Sequence, residues 1–357
     1  MTYWRGLLDR LHEHDPESAR ALDAHSVRWN EGVAHVRDLT TRHRGDQGFG
    51  IGRHRLLEIL ADRARALGVR VEYEHEIGPG RLPDAELVVA ADGVHSALRT
   101  RHADHFGTEF RAGRNFYIWL GTTKVFDSFT FAFVETEHGW IWCYGYPFDG
   151  ERSTCVVECA PETWTGLGLD RAGEADGLTL LEKLFAVVLD GQRLIGRSSA
   201  QGSAQWLNFR TLTNRTWYRD NLVLIGDAAH TTHYSIGAGT TLALEDAIAL
   251  AAALREHTAL PQALARYEQE RRSALLPTQS AARYSAQWYE NLPRYIHLPP
   301  ERMFALLGQR HSPLLPYVPP QLYYRLDRAA GQLEGLRRLK RWLGPKLART
   351  AQGRTLK

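Results

Sequence analysis

Two short segments of this chain place an acid next to a glycine at the end of an apolar run. Asp92-Gly93 follows ELVVAA, and Gly226-Asp227 follows NLVLI. A glycine there lets a phosphate or sugar come close to the backbone. The aspartate can accept hydrogen bonds from sugar hydroxyls. Downstream, Gly237-Ala238-Gly239 opens a helix at Thr240-Thr241. A helix start of that kind offers free backbone N–H groups and the positive end of the helix dipole, which suits a developing negative charge. Taken singly, Asp-Gly is also a common turn pair. Asp227 would serve as a plain helix cap, but Gly237 and Gly239 would then have no reason to be there. His230 and His233 are three residues apart, yet no Cys or acid cluster stands near them, so no metal site is expected. Cys155 and Cys159 share one face of a strand and read as buried apolar residues.

The elements that must carry these residues can be read from periodicity. Asp15-Pro16 caps and opens a short helix to about Leu22. Gly48 to Gly52 reads as a glycine-rich turn. It leads into a helix whose Leu56, Leu57, Leu60, Ala61, Ala64 and Leu67 fall at helical spacing, with Gly68 as C-terminal cap. VRVEYEHEI (69–77) alternates apolar and charged residues, as a half-exposed strand does. ELVVAADG (86–93) and NLVLIGDAAH (221–230) read as strands buried on both faces of a parallel sheet. In open α/β sheets ligands bind at the carboxyl ends of such strands. Residues 115–160 are rich in β-branched and aromatic residues and predict an antiparallel meander. Tyr117, Trp119, Trp142 and Tyr144 on it are candidates for a substrate wall, or core residues. A mixed helical stretch covers 161–190. Strong helices begin at Gly239 and near Pro261, and the C-terminal third stays helical between Pro-rich turns.

The chain has 357 residues, 43% hydrophobic and 24% charged, with a net charge of +3. That is ordinary globular composition and too mild a charge to imply nucleic acid. No run of about 18 apolar residues is present, so no membrane span is expected. Three cysteines make no disulfide framework, and a reducing cytoplasm fits.

In ADGVHSALR (91–99), and in the Gly-Asp-Ala-x-His segment at 226–230 followed by a glycine turn and an acid-bearing helix, the chain resembles the FAD-dependent aromatic hydroxylases. These are the single-component flavoprotein monooxygenases related to para-hydroxybenzoate hydroxylase. GRNFYIWLGTTKVFDSFTFAF (113–133), STCVVECAPETW (153–164) and SIGAGTTLALEDAIALA (235–251) resemble the subgroup acting on salicylyl-CoA, aminobenzoyl-CoA or violacein-pathway indoles. The resemblance implies an α/β fold. Its FAD/NAD(P)-binding Rossmann-like parallel sheet (1–108 and 214–290) would be truncated at its N-terminus, interrupted by an antiparallel substrate sheet (109–213) and followed by C-terminal helices (291–357). The implied reaction is hydroxylation of an aromatic ring with NADH or NADPH and O2 through a flavin C4a-hydroperoxide, the acyl-CoA branch weighted above free aromatics and indoles. A redox-inactive ligand binder on the same fold is the reading from another class; a plain dehydrogenase lacks its fingerprint.

Residue by residue, the resemblance implies that Arg53 contacts the flavin side of FAD. Asp92 and Gly93 would lie near the pyrophosphate and the route of NAD(P)H. Asp227 would hold the ribityl or pyrophosphate portion, and the backbone around Gly237, Gly239, Thr240 and Thr241 the pyrimidine edge. His233 is the candidate for proton handling. His233 and Tyr234 stand where the family has prolines. The family's opening strand, G-x-G-x-x-G and ribose-binding acid are not found. Gly48-Phe49-Gly50-Ile51-Gly52-Arg53 puts an arginine where the third glycine belongs and has no buried strand before it. The expectation is a true start upstream of Met1, with a shortened paralogue of impaired FAD binding as the alternative. The strand at 87–90 would then show an unpaired edge and an exposed apolar face. The tail LRRLKRWLGPKLAR (336–349) reads as a docked helix with a solvated basic face.

Overall fold

The computed structural model describes residues 1–78, 84–196 and 205–332, so the basic tail expected at 336–349 lies outside the described residues. The chain divides into two units.

The first unit comprises Met1–Val71, Arg114–Phe209 and Glu290–Ala305. It is built on a sheet whose strands run, in spatial order, Thr2–Trp4, Leu39–Gly50, Val27–Val36, Phe129–Thr136, Gly139–Pro147, Ser153–Cys159, Glu109–Thr122 and Leu207–Thr213; Leu194–Ile195 also pairs with Glu109–Thr122. The expected meander is present: Phe129–Thr136, Gly139–Pro147 and Ser153–Cys159 are successive antiparallel neighbours. Val27–Val36 joins it in parallel, so the first 71 residues group with this sheet and not with the 72–113 segment. That division differs from the boundary drawn at 108.

Alternation sorts the strands into two faces. Ile118, Leu120, Ala132, Ile141, Cys143, Cys155, Val157 and Cys159 pack with Leu181, Val188 and Leu189 of the helices Glu174–Leu184 and Ala186–Leu189 and with Phe185 between the two helices. All three cysteines are buried in this layer. The opposite face carries the aromatic rings.

Gly48 and Gly50 lie in a strand, not in the turn expected. They are small because the chain is crowded there: a Cβ on Gly48 would stand 2.5 Å from the Trp29 indole, and one on Gly50 would strike the Pro147 carbonyl. The helix Arg53–Ala66 follows, burying Leu56 and Ile59. It ends as expected on Gly68, whose φ of +82° only glycine adopts at no cost.

The second unit comprises Glu72–Gly113, Arg210–Tyr289 and Leu306–Lys357. Its three-stranded sheet orders Tyr218–Arg219, Leu222–Leu224 and Val88–Ala90, the last two parallel. Leu222–Leu224 is buried throughout. Val88–Ala90 stands at the sheet edge with Val89 42% exposed, as expected for a chain without the family's opening strand and unlike a strand buried on both faces. The strand expected at 69–77 is absent. Residues 69–78 are irregular and mostly exposed, and Glu74 has a φ of +55°. Alternation alone holds no strand without a neighbour to take its backbone hydrogen bonds. The helix Gly239–Glu256 turns Leu242, Asp246, Leu250 and Ala253 inward. The next helix is longer than its pattern suggested, running Leu260–Glu290 through Pro277.

Candidate functional site

The second unit assembles its loops around two buried charges. The first is Arg99, 2% exposed. It donates to the carbonyls of Val94 at 2.5 Å and Gly93 at 3.5 Å in one motif, and to that of Ala228 at 3.1 Å in the other. One guanidinium thus ties the Asp92-Gly93 loop to the Gly226–Ala229 loop, although 129 residues separate Arg99 from Ala228. Gly93 takes a φ of +80°, and a Cβ there would meet nothing within 4 Å. Asp92 is exposed and accepts from the backbone N–H of Ala97 at 3.0 Å, so part of its carboxylate caps the short helix Ala97–Arg101.

The second charge is Asp246, fully buried. It accepts from the Gly226 N–H at 2.9 Å, from His230 Nε2 at 2.9 Å and from Arg271 Nε at 2.7 Å; Arg271 reaches Glu245 at 3.1 Å. Burial works against the charged carboxyl, but the His230 hydrogen bond and the Arg271 charge outweigh it and hold Asp246 below the usual carboxylate range. His230 spends Nε2 on this carboxylate and lies 4.9 Å from the Trp217 ring. Among the described residues no three His, Cys, Asp or Glu side chains are grouped to hold a metal. The network fixes the turn Gly226–Ala228, on which Asp227 is exposed.

Beyond it, Gly237 adopts a φ of +64° and the helix Gly239–Glu256 begins without a side-chain cap. Its first backbone N–H groups therefore have no intrahelical acceptor. A Cβ on Gly239 would meet nothing within 4 Å. Thr241 Oγ1 is buried and has no hydrogen-bond partner. An orphaned hydroxyl beside uncapped donors and an open glycine fits a ligand edge carrying both acceptors and donors, as the pyrimidine edge of a flavin does. His233 follows the same loop; burial lowers its pKa to about 3, so its ring is neutral.

The first unit gathers the four aromatic candidates on one sheet face. Trp119 and Tyr144 both lie opposite Val156; Tyr117 and Trp142 both lie opposite Glu158. Phe131 pairs with Tyr144 across the next strand. Trp142 and Tyr144 are buried, Tyr117 and Trp119 half-buried. Tyr146, on the same face, has its hydroxyl pushed up to about 12 by burial, against a bond to Thr154 and the charge of Arg53. Arg53 is exposed on the first turn of its helix.

Sequence reasoning missed Arg99, Asp246, Arg271 and Glu158. Asp246 had a signal: it occupies the apolar stripe of its helix, four residues from Leu242 and four from Leu250. So did Glu158, an acid inside the apolar run of Ser153–Cys159; it is 1% exposed and accepts from Asn115 Nδ2 at 2.8 Å.

Residues 74–276, more than half of the chain, match the family described as FAD binding domain. The chain belongs to that family. Salicyloyl-CoA 5-hydroxylase of a Streptomyces species is 38% identical over 299 residues, covering 81% of this chain and 57% of its own length. The present chain therefore spans little more than half of that relative. The 3-hydroxy-4-methyl-anthranilyl-[aryl-carrier protein] 5-monooxygenase of Streptosporangium sibiricum is 38% identical over 296 residues, covering 83% of this chain and 78% of its own. Among solved structures, 2-methyl-3-hydroxypyridine-5-carboxylic acid oxygenase superposes with a TM-score of 0.65 over 82% of this chain and 81% of that one, at 18% identity. The fold is shared with the flavin hydroxylases, and the expected family is the observed one.

Proposed function

We propose that this chain is an FAD-dependent monooxygenase that hydroxylates an aromatic ring carried as a thioester, with NAD(P)H and O2 as co-substrates. The observation that carries the reading is the conjunction in the second unit of an uncapped helix start, an orphaned Thr241 hydroxyl and two acid-bearing loops held together by Arg99 and Asp246. FAD, when bound, supplies the chemistry, taking electrons from NAD(P)H and activating oxygen. The chain supplies binding and shape. Asp92, Gly93 and Asp227 serve the sugar and pyrophosphate portions. Gly237, Gly239, Thr240 and Thr241 serve the flavin edge. A helix N-terminus favours negative charge there by roughly 0.3–2 kcal/mol. Arg53 is a cation the first unit offers to an anionic ligand. Tyr117, Trp119, Trp142 and Tyr144 form an apolar wall suited to a flat ring and to keeping water from it. The thioester class is supported by the two relatives, whose names place an aromatic acyl group on CoA or on a carrier protein.

The test is a visible spectrum after incubation with FAD and gel filtration, followed by NAD(P)H oxidation with salicyloyl-CoA, anthraniloyl-CoA and the free acids. Retained flavin absorbance and a thioester-stimulated rate are expected. A colourless protein, or stimulation by free acids alone, would overturn the cofactor or the substrate class respectively.

A further inference from the structure

Four polar side chains of the second unit form a hydrogen-bonded chain that the reading above does not use. Arg310 Nε donates to Ser285 Oγ at 3.0 Å. Ser285 Oγ lies 2.7 Å from Ser235 Oγ, which lies 2.9 Å from His233 Nδ1. Ser285 is fully buried, and the other three are half-buried. A guanidinium has donors only, so the first bond has one sense. At the other end the Ser235 backbone N–H also donates to His233 Nδ1, at 3.3 Å, so Nδ1 is an acceptor and bears no proton. The His233 end sets the direction of the hydroxyls, Ser235 giving to His233 and Ser285 to Ser235, and the Arg310 end, giving to Ser285, agrees with it.

We propose that Arg310 and Ser285 are positioning residues that hold His233 as its Nε2–H tautomer. The ring then carries its proton at Nε2 and its lone pair at Nδ1. At Nε2 it is a neutral donor, not a base that removes a proton. The depressed pKa agrees, because the ring stays uncharged at pH 7. Stacking on Tyr234, with ring centroids 4.3 Å apart, holds the ring plane. The same guanidinium fixes the backbone: Nη2 donates to the Ser235 carbonyl at 2.9 Å and Nη1 to the Leu307 carbonyl at 3.0 Å. Arg310 thereby pins the turn Tyr234–Ile236 that leads through Gly237 to the helix start. Any role of the His233 ring toward bound flavin or substrate rests on the proposed function; the tautomer does not.

The decisive measurement is a long-range nitrogen–proton NMR correlation on protein labelled with 15N-histidine, with the His233 signals assigned by difference from His233→Gln. At pH 7 the wild type should show one neutral form, unprotonated at Nδ1. Ser285→Ala and Arg310→Met should each lose that single form to a mixture of tautomers, and Arg310→Lys, which keeps a donor, should restore it. A charged or Nδ1–H ring in the wild type, or an unchanged tautomer in Ser285→Ala, overturns the assignment. Should Arg310→Met fail to fold, Ser285→Ala, which removes one oxygen, decides alone. A wild type that shows the expected tautomer but binds no FAD would sink the proposed function and leave this assignment standing.

Discussion

Arg99 is a buried cation whose bonds all go to backbone carbonyls, so its worth is in what it joins. Replacing it by Met would take the guanidinium donor from the Val94 carbonyl, at roughly 1–3 kcal/mol for a group left unsatisfied, while the Ala228 carbonyl would keep its bond from Asn214 Nδ2. Urea unfolding of Arg99→Met should show that loss, and, if the two loops hold FAD as proposed, FAD affinity should fall further than stability alone explains. Asp246 makes a pH-dependent prediction. Its folded carboxyl is held below the ordinary value of 3.8, so the stability it contributes is fully present above that value and is lost as pH falls through the folded one. The urea midpoint of Asp246→Asn should therefore lie below that of the wild type by a constant margin at neutral and mildly acidic pH. The margin should narrow only on the acid side of 3.8. A margin that already shrinks near neutrality would contradict the network. Asp246→Ala, which strips Arg271 of its buried partner, should cost about 3–5 kcal/mol.

At the scale of the element, the helix Gly239–Glu256 has opposite duties at its two ends of use. Its buried stripe anchors it through Leu242, Asp246 and Leu250, while its first turn is left uncapped. A capping side chain normally adds about 1 kcal/mol, so an uncapped start is a stability cost, one that a flavin bound as proposed would offset. Thr241→Val separates the two duties. Removing an orphaned buried hydroxyl should leave the ligand-free protein as stable as before or slightly more so. If Thr241 serves the flavin, FAD affinity should fall about tenfold, which is roughly 1.4 kcal/mol. Equal affinity by fluorescence titration would remove Thr241 from the site. The sheet Glu109–Thr122 to Phe129–Thr136 works by the same division, one face committed to helices and the other to aromatic rings.

Across the whole molecule, ligand binding and folding are linked. FAD at a hundred times its dissociation constant should stabilise the protein by about 2.7 kcal/mol, seen as a rise in melting temperature that depends on FAD concentration. A melting temperature indifferent to FAD would refute binding to the folded state. The three cysteines give an independent check of the helix-covered sheet face. All are buried, and burial pushes the Cys143 and Cys159 thiols up. The native protein should resist thiol reagents, and all three should react once it is unfolded. Among the described residues no helix is long and apolar enough to cross a membrane, in line with the absence of any long apolar run.

Local pattern carried the meander, the helix Arg53–Ala66 with its glycine cap, the strand before Gly226 and the helix after Gly237, because each depends on residues a few positions apart. The grouping of Tyr117, Trp119, Trp142 and Tyr144 on one face follows from alternation once the strands are registered. Position in the sheet was beyond such reasoning. VRVEYEHEI has the alternation of a strand but no neighbour. Nor could spacing reveal that Gly48 and Gly50 are small to admit Trp29 and Pro147. Arg99 meeting Ala228, Asp246 meeting Arg271, and Arg310 setting the proton on His233 all join residues distant in sequence. Hydrogen bonds act over about 3 Å of space, and only the folded chain decides which groups come within that reach.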